Sequence, residues 1–211
     1  MRILLVVLAA ALTAGQLPGQ ALHAVGGASL VTTRVRSQVP AGVDQFTGSA
    51  FLGQGALALG RVELSASYLQ GTINPDGGTA TARDLVEGTV LIGVHALDWL
   101  TLETGPHARA YTLAGSTQRW LFWELRARAA TAFVGSAAQG YAELWRAIAA
   151  DANVPEPFDH AQGGEVGMIL RLARSPLGCR IGYRIDHAVL GGGTRLETVD
   201  GVVIGVGLNW R

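Results

Sequence analysis

The sequence predicts an all-β protein: a closed, antiparallel, up-and-down transmembrane β-barrel of about ten strands, with eight or twelve as the alternatives. Three observations predict it. First, β-like runs of about 10–14 residues follow one another between turn signals. They are longer than the 5–6 residues usual for globular strands and suit the 9–11 that a tilted strand needs to cross a bilayer. Second, nearly every run alternates bulky apolar residues with glycine or charged ones, the two-residue period of a strand with unlike faces. Third, charged residues make up 15% of the 211-residue chain, against roughly 25% in soluble domains. Beyond the N-terminus no run of 18 apolar residues occurs, so no helical span is expected.

The chain opens with "MRILLVVLAAALTAG", one early arginine followed by an apolar run from Ile3 to Leu12. That run is shorter than the ~20 residues a spanning helix needs and reads as a secretory signal peptide, residues 1–24 at its longest. Cleavage fits the small-x-small patterns at 13–15 and 19–21, or a site after Ala24. Residues 25–211 then form one barrel domain. The single cysteine, Cys179, rules out an intrachain disulfide and reads as a small hydrophobe.

The elements follow in order. Runs 27–37 and 47–59 alternate weakly and are separated by the polar "SQVPAGVDQF". A tight turn at Gly60 leads into 61–73. "NPDGGTATA" then gives turn chemistry, with too few oxygen ligands for a cation loop, before 84–95. After "ALD" comes 99–112, where Leu100, Leu102, Pro106, Ala108 and Ala110 oppose Glu103, His107, Arg109 and Tyr111. "LAGSTQ" separates it from 118–133, where Leu121, Trp123 and Leu125 oppose Glu124, Arg126 and Arg128. Run 139–149 begins after "GSAAQ", although "YAELWRAIAADA" also reads as helix by propensity. "DANVPEPFDHA" precedes 162–173, and "RSPLG" precedes 177–188. There Leu177, Cys179, Ile181, Tyr183 and Ile185 oppose Gly178, Arg180, Gly182, Arg184 and Asp186. After "AVLGGGT", run 196–211 sets Val202, Ile204, Val206, Leu208 and Trp210 against a face rich in glycine. Short joins thus alternate with longer ones.

Alternation alone also describes a soluble barrel with an apolar interior. Low charge, long strands and glycine on the charged parity place the charges inside instead, because glycine leaves room for long neighbouring side chains in a narrow lumen. The expected luminal ion-pair network is Glu103, Arg109, Glu124, Arg126, Arg128, Glu143, Arg180, Arg184, Asp186, Arg195 and Glu197. The expected lipid-facing set is Leu121, Trp123, Leu125, Ile181, Tyr183, Val202, Ile204, Val206, Leu208 and Trp210. Closing the hairpins puts Glu103 opposite Arg128, His107 opposite Glu124 and Arg128 opposite Glu143. It also puts Arg184 opposite Glu197 and Asp186 opposite Arg195. Arg171 falls opposite Arg180, a like-charge conflict unless Glu165 or Glu87 reaches them.

The signal-like start, the alternating strands, the asymmetric joins and the "IGVGLNW" ending together resemble the small outer-membrane β-barrel proteins of Gram-negative-type bacteria, over residues 27–211. The resemblance implies an outer-membrane location, outer-membrane lipid as partner and both termini on the periplasmic side.

Net charge is zero and no basic cluster occurs, so no nucleic-acid partner is expected. No dinucleotide, P-loop or zinc spacing appears, so no cofactor and no metal are expected. A catalytic reading has weak candidates. Glu103, His107 and Glu124 could polarise an imidazole, with Ser65 and Ser67 as unplaced hydroxyls. His187 lies near a strand end like the histidine of barrels that deacylate lipid A, but Val189 stands where a serine would be needed. Asp159 and His160 lie in the longest loop with Asp151 and Glu156. The residues therefore favour a narrow lumen with a structural role, or a role in binding an unidentified ligand through the loops. The alternatives are a membrane-embedded hydrolase acting on lipid or peptide at the outer rim, and a secreted soluble barrel binding an apolar ligand.

Overall fold

The computed structural model describes residues 22–77, 80–113, 115–135, 137–172 and 175–208. The apolar start of the chain and Trp210 lie outside them. Ten strands follow in sequence: β1 (Leu22–Val39), β2 (Gly42–Leu59), β3 (Val62–Pro75), β4 (Arg83–Leu97), β5 (Leu100–Leu113), β6 (Ser116–Val134), β7 (Ala138–Ala152), β8 (Phe158–Arg171), β9 (Leu177–Leu190) and β10 (Arg195–Leu208). Each pairs antiparallel with its sequence neighbours, and β1 pairs with β10 to close the wall. Closure satisfies the backbone groups of every strand without leaving an edge. The segment that also read as helix is β7: Tyr141 and Trp145 are buried while Leu144 and Ile148 are exposed, so pairing to β6 and β8 overrides local propensity.

Residues 22–24 already belong to β1, where they face Leu59, Ala58 and Leu57. Cleavage after residue 15 or 21 would leave this strand whole. Cleavage after Ala24 would remove its first three residues.

The expected contrast between short and long joins is largely absent. At the end where β1 begins and β10 finishes, here the terminal end, the joins are 60–61, 98–99, 135–137 and 172–176. At the far end they are 40–41, 76–82, 114–115, 153–157 and 191–194. The polar stretch 37–46, expected as a loop, is strand on both sides of a two-residue turn, with Ser37 facing Asp44 and Val39 facing Gly42. Backbone pairing continues there because a ladder needs no apolar side chains once the wall has left the apolar zone.

Each strand has one face toward the lumen and one toward the outside. Every strand contributes at least one large exposed apolar side chain: Leu30, Phe51, Leu64, Ile92, Leu102, Leu125, Leu144, Val166, Ile181 and Ile204 form a belt around the wall. Monomeric soluble proteins rarely expose contiguous apolar patches beyond a few hundred Å². Leu121, Trp123, Tyr183, Val202, Val206 and Leu208 lie on the same outward face.

Glycine on the inward parity answers a packing need. A Cβ at Gly182 would collide with the Tyr141 hydroxyl and Glu165, and one at Gly163 with Asp186 and the Trp145 indole. Gly88, on the outward face, has nothing nearer than 4.0 Å to its notional Cβ. Gly182→Val should therefore cost about 1–3 kcal/mol through overpacking. Gly88→Val should leave the urea midpoint of the refolded barrel nearly unchanged. Equal midpoints for the two variants would contradict this account.

Candidate functional site

The lumen has three zones, set by which residues each strand turns inward along its length. Toward the far end it is packed solid. Val35, Phe46, Ile73, Leu85, Trp120, Phe122, Leu190 and Val199 are buried there as one cluster. The aromatic rings meet at tilted angles, with Phe122 6.0 Å from both Trp120 and Trp145 and 6.1 Å from Phe158.

Below this plug lies a layer of ion pairs that crosses the barrel. Arg109 on β5 donates from Nε to Glu87 at 2.7 Å and from a terminal nitrogen to Asp186 at 2.6 Å. Arg184 on β9 donates to Glu87 at 2.9 Å and to Asp186 at 2.8 Å. β9 is five places from β4 and four from β5 around the wall, so these four side chains span the lumen and join its opposite walls. The Trp145 indole donates to the other Asp186 oxygen at 2.8 Å. The Tyr111 hydroxyl, also reaching across, donates to Glu197 at 2.9 Å. Each buried charge thus has both a counter-ion and hydrogen bonds, the condition under which a buried pair is tolerated.

Toward the terminal end the packing opens into a cavity of about 580 Å³ that reaches the rim at His23, Arg61, Asp98 and Trp99. Glu63 is bound by Arg128, and His95 Nε2 lies 3.3 Å from it. Arg126 bridges Glu124 at 2.7 Å and Glu143 at 3.2 Å. Arg180 binds Glu165 and donates to the Tyr141 hydroxyl at 2.8 Å and to Gln54 at 2.7 Å.

All eleven residues expected in the luminal network are on the inward face, but hairpin closure misassigned several partners. Glu103 is opposite Arg126 and His107 is opposite Phe122, because the β5–β6 hairpin closes with Leu113 facing Ser116. In β9–β10, Arg184 faces Gly201 and Asp186 faces Val199. The chain turns on Gly191–Gly193, all three at left-handed φ, where glycine carries no Cβ penalty. The turn therefore lies later than expected, and Arg195 faces Leu190, pairing with Glu156 and Glu197 instead of Asp186. The Arg171–Arg180 conflict disappears as well. Arg180 faces Ile169 and reaches Glu165, while Arg171 faces Gly178 and binds Gln139. Arg128 does face Glu143, although its side chain goes to Glu63.

The candidate catalytic trio does not assemble. His107 Nδ1 is 3.1 Å from Glu124, and the imidazole is 3% exposed, against Phe122 and Trp145. Glu103 instead accepts from Ser65 Oγ at 3.1 Å, and Ser67 bonds to Thr89 at 2.7 Å. Among the described residues no hydroxyl or thiol bonds to His107. His187 is on the outward face beside Thr198, 3.1 Å away. Asp159 and His160, expected in the longest loop, lie at the start of β8, where Asp159 accepts the backbone N–H of Gly192 at 2.7 Å and so ties the β9–β10 turn to that strand.

Sequence reasoning missed the plug, Tyr141 and the central place of Glu87. A signal for the plug was present. Trp120 and Phe122 share the parity of Glu124, Arg126 and Arg128, which describes one inward face changing from aromatic to ionic along β6.

Outside the wall, the apolar belt ends at a polar cluster toward the far end. Asp200 lies beneath Arg34, which donates to it at 3.0 and 2.7 Å, and the Tyr183 hydroxyl donates to it at 2.8 Å. Beyond the strands, Asp76 accepts from Thr47 at 2.6 Å and from Gln45, and these bonds hold its carboxyl below the usual carboxylate range. That contact is present above the ordinary carboxylate pKa and is lost as pH falls through the lowered value.

No protein-family model and no curated protein sequence matches the chain. Solved structures do. The outer membrane protease OmpT from Escherichia coli superposes with a TM-score of 0.62 at 7% identity, over 93% of this chain and 99% of that one. An outer membrane channel from Pseudomonas putida F1 gives 0.53 at 9% identity, over 92% and 96%. The fold is that of bacterial outer-membrane β-barrels.

Asp186→Ala should strip Arg109 and Arg184 of a shared buried partner and destabilise the barrel by about 3–5 kcal/mol. The exposed Arg34→Ala should shift the urea midpoint far less. Similar midpoint shifts for both would contradict a stabilising role for the trans-lumen layer.

Proposed function

We propose that the protein resides in a bacterial outer membrane, crosses it with all ten strands, and encloses a cup open to the periplasm in place of a diffusion pore. The observation that carries this is the pairing of an encircling apolar outer face with a lumen plugged over its far half. Lipid on the outside explains why the belt needs no polar cover. The Tyr183–Asp200–Arg34 cluster then marks the headgroup level, where amphipathic side chains collect. With both termini on the periplasmic side, the cavity mouth faces that compartment and the plug faces outward.

Within this reading the role is structural or binding. Binding through far-end loops rests on 76–82 and 153–157, since the other far-end turns are short. The hydrolase alternative lacks a hydroxyl aligned on His107 among the described residues, and the neighbours' names point two ways, protease and channel, on one fold. A soluble barrel for an apolar ligand would need the faces reversed, with an apolar cavity and a charged outer wall.

The purified mature protein should require detergent for extraction from cell envelopes and give no large, steady conductance in planar bilayers. Its appearance in a detergent-free soluble fraction would contradict the membrane placement. Steady conductance would contradict the plugged lumen.

A further inference from the structure

The cavity at the terminal end carries more acid than base. Seven carboxylates and five arginines line it, and most of these charges are accounted for by the pairs described above. Arg109 and Glu124, which lie outside the lining, add one charge of each sign to those pairs. Two carboxylates and one arginine, Arg61 at the rim, are left over. One carboxylate is Asp98 at the rim. The other is Glu103, 5% exposed, which has no cation within 4 Å among the described residues and accepts a single hydrogen bond, from Ser65. Every other inward-facing carboxylate of the lumen has an arginine within that distance. Arg126 and Arg128 stand nearby but give their hydrogen bonds to Glu124, Glu143 and Glu63. A buried carboxylate whose counter-charges are shared in this way is costly, and a cation arriving from outside would lower that cost.

We infer that this cavity is a binding site for a small organic cation whose ammonium group pairs with Glu103. The volume, about 580 Å³, falls within the roughly 300–1,000 Å³ of small-molecule pockets. An ammonium suits the position better than a metal ion. It offers three donors, and Glu103 and the Ser65 hydroxyl both hold acceptor lone pairs beside one another. Among the described residues no group of three histidine, cysteine, aspartate or glutamate side chains is arranged to hold a metal. With Glu124 and Arg109 included, eight carboxylates meet six arginines, an excess of two that a short diamine matches in number.

The inference depends on the lumen geometry and not on the membrane reading, so the test is run on the full mature chain refolded in detergent, separately from fractionation. Cadaverine is titrated by isothermal calorimetry, with glutarate as an anion of equal length. The expected result is saturable one-to-one binding of cadaverine, weakened at least tenfold in Glu103→Gln, and no binding of glutarate. Glu103→Gln keeps the shape and the Ser65 contact, and heat-dependent gel mobility checks that it folds. Should it fail to fold, Ser65→Ala removes one acceptor and should weaken binding several-fold. Absence of cadaverine binding to the wild type, equal affinity in the folded variants, or glutarate binding as tight as cadaverine would overturn the inference.

Discussion

Two arginines and two carboxylates that meet in the middle of the lumen are the constraint on which the rest of the interior depends. Arg109 and Arg184 share Glu87 and Asp186, and the four side chains come from opposite walls. Such a layer survives only where each charge is fully paired, since loss of one partner leaves its neighbours buried and uncompensated. The need propagates outward. Gly163 has no side chain because Asp186 and Trp145 fill the space where its Cβ would stand. The aromatic plug closes one side of the layer, and His107 stands at the seam, with Glu124 on one flank and Phe122 and Trp145 on the other.

The asymmetry of the lumen follows from one feature of the strands. Along β6 the inward face runs Trp120, Phe122, Glu124, Arg126, Arg128, from apolar to charged, and β5 runs the same way from Tyr111 through Arg109 and His107 to Glu103 and Thr101. Because neighbouring strands are antiparallel, these gradients add around the barrel, giving one sealed end and one wet one. The outward face has its own gradient, from an apolar belt to the polar cluster at Asp200. A wall built this way is packed at one end and leaves a charged recess at the other.

The fold was legible because a period-two pattern repeated along the chain admits few other answers, and parity alone assigned the inward and outward faces. What parity could not supply was partner identity. Adjacent-strand reasoning paired Asp186 with Arg195, whereas its partners are Arg184 on the same strand and Arg109 four strands away. Contacts across a lumen depend on closure and stagger, which no single hairpin encodes. Turn chemistry misled in two places. "SQVPAGVDQF" reads as loop by composition yet is mostly ladder, and in "AVLGGGT" the first three residues extend β9, which leaves the glycines to make the turn. The plug made by Trp120 and Phe122 was missed because the inward face was expected to be polar throughout.

The central claim is that the apolar face meets lipid and the charged face does not. The native cysteine tests it without any substitution, since Cys179 is exposed on the outward face between Leu177 and Ile181, opposite Val206 and Leu170. A nitroxide attached to Cys179, with the protein refolded into phosphatidylcholine vesicles, reports its surroundings by collision with oxygen or with a water-soluble nickel chelate. The account predicts ready relaxation by oxygen and little by the chelate, as for a site in the bilayer interior. Ready relaxation by the chelate and little by oxygen would mean that this face meets water, and the assignment of the two faces would be wrong.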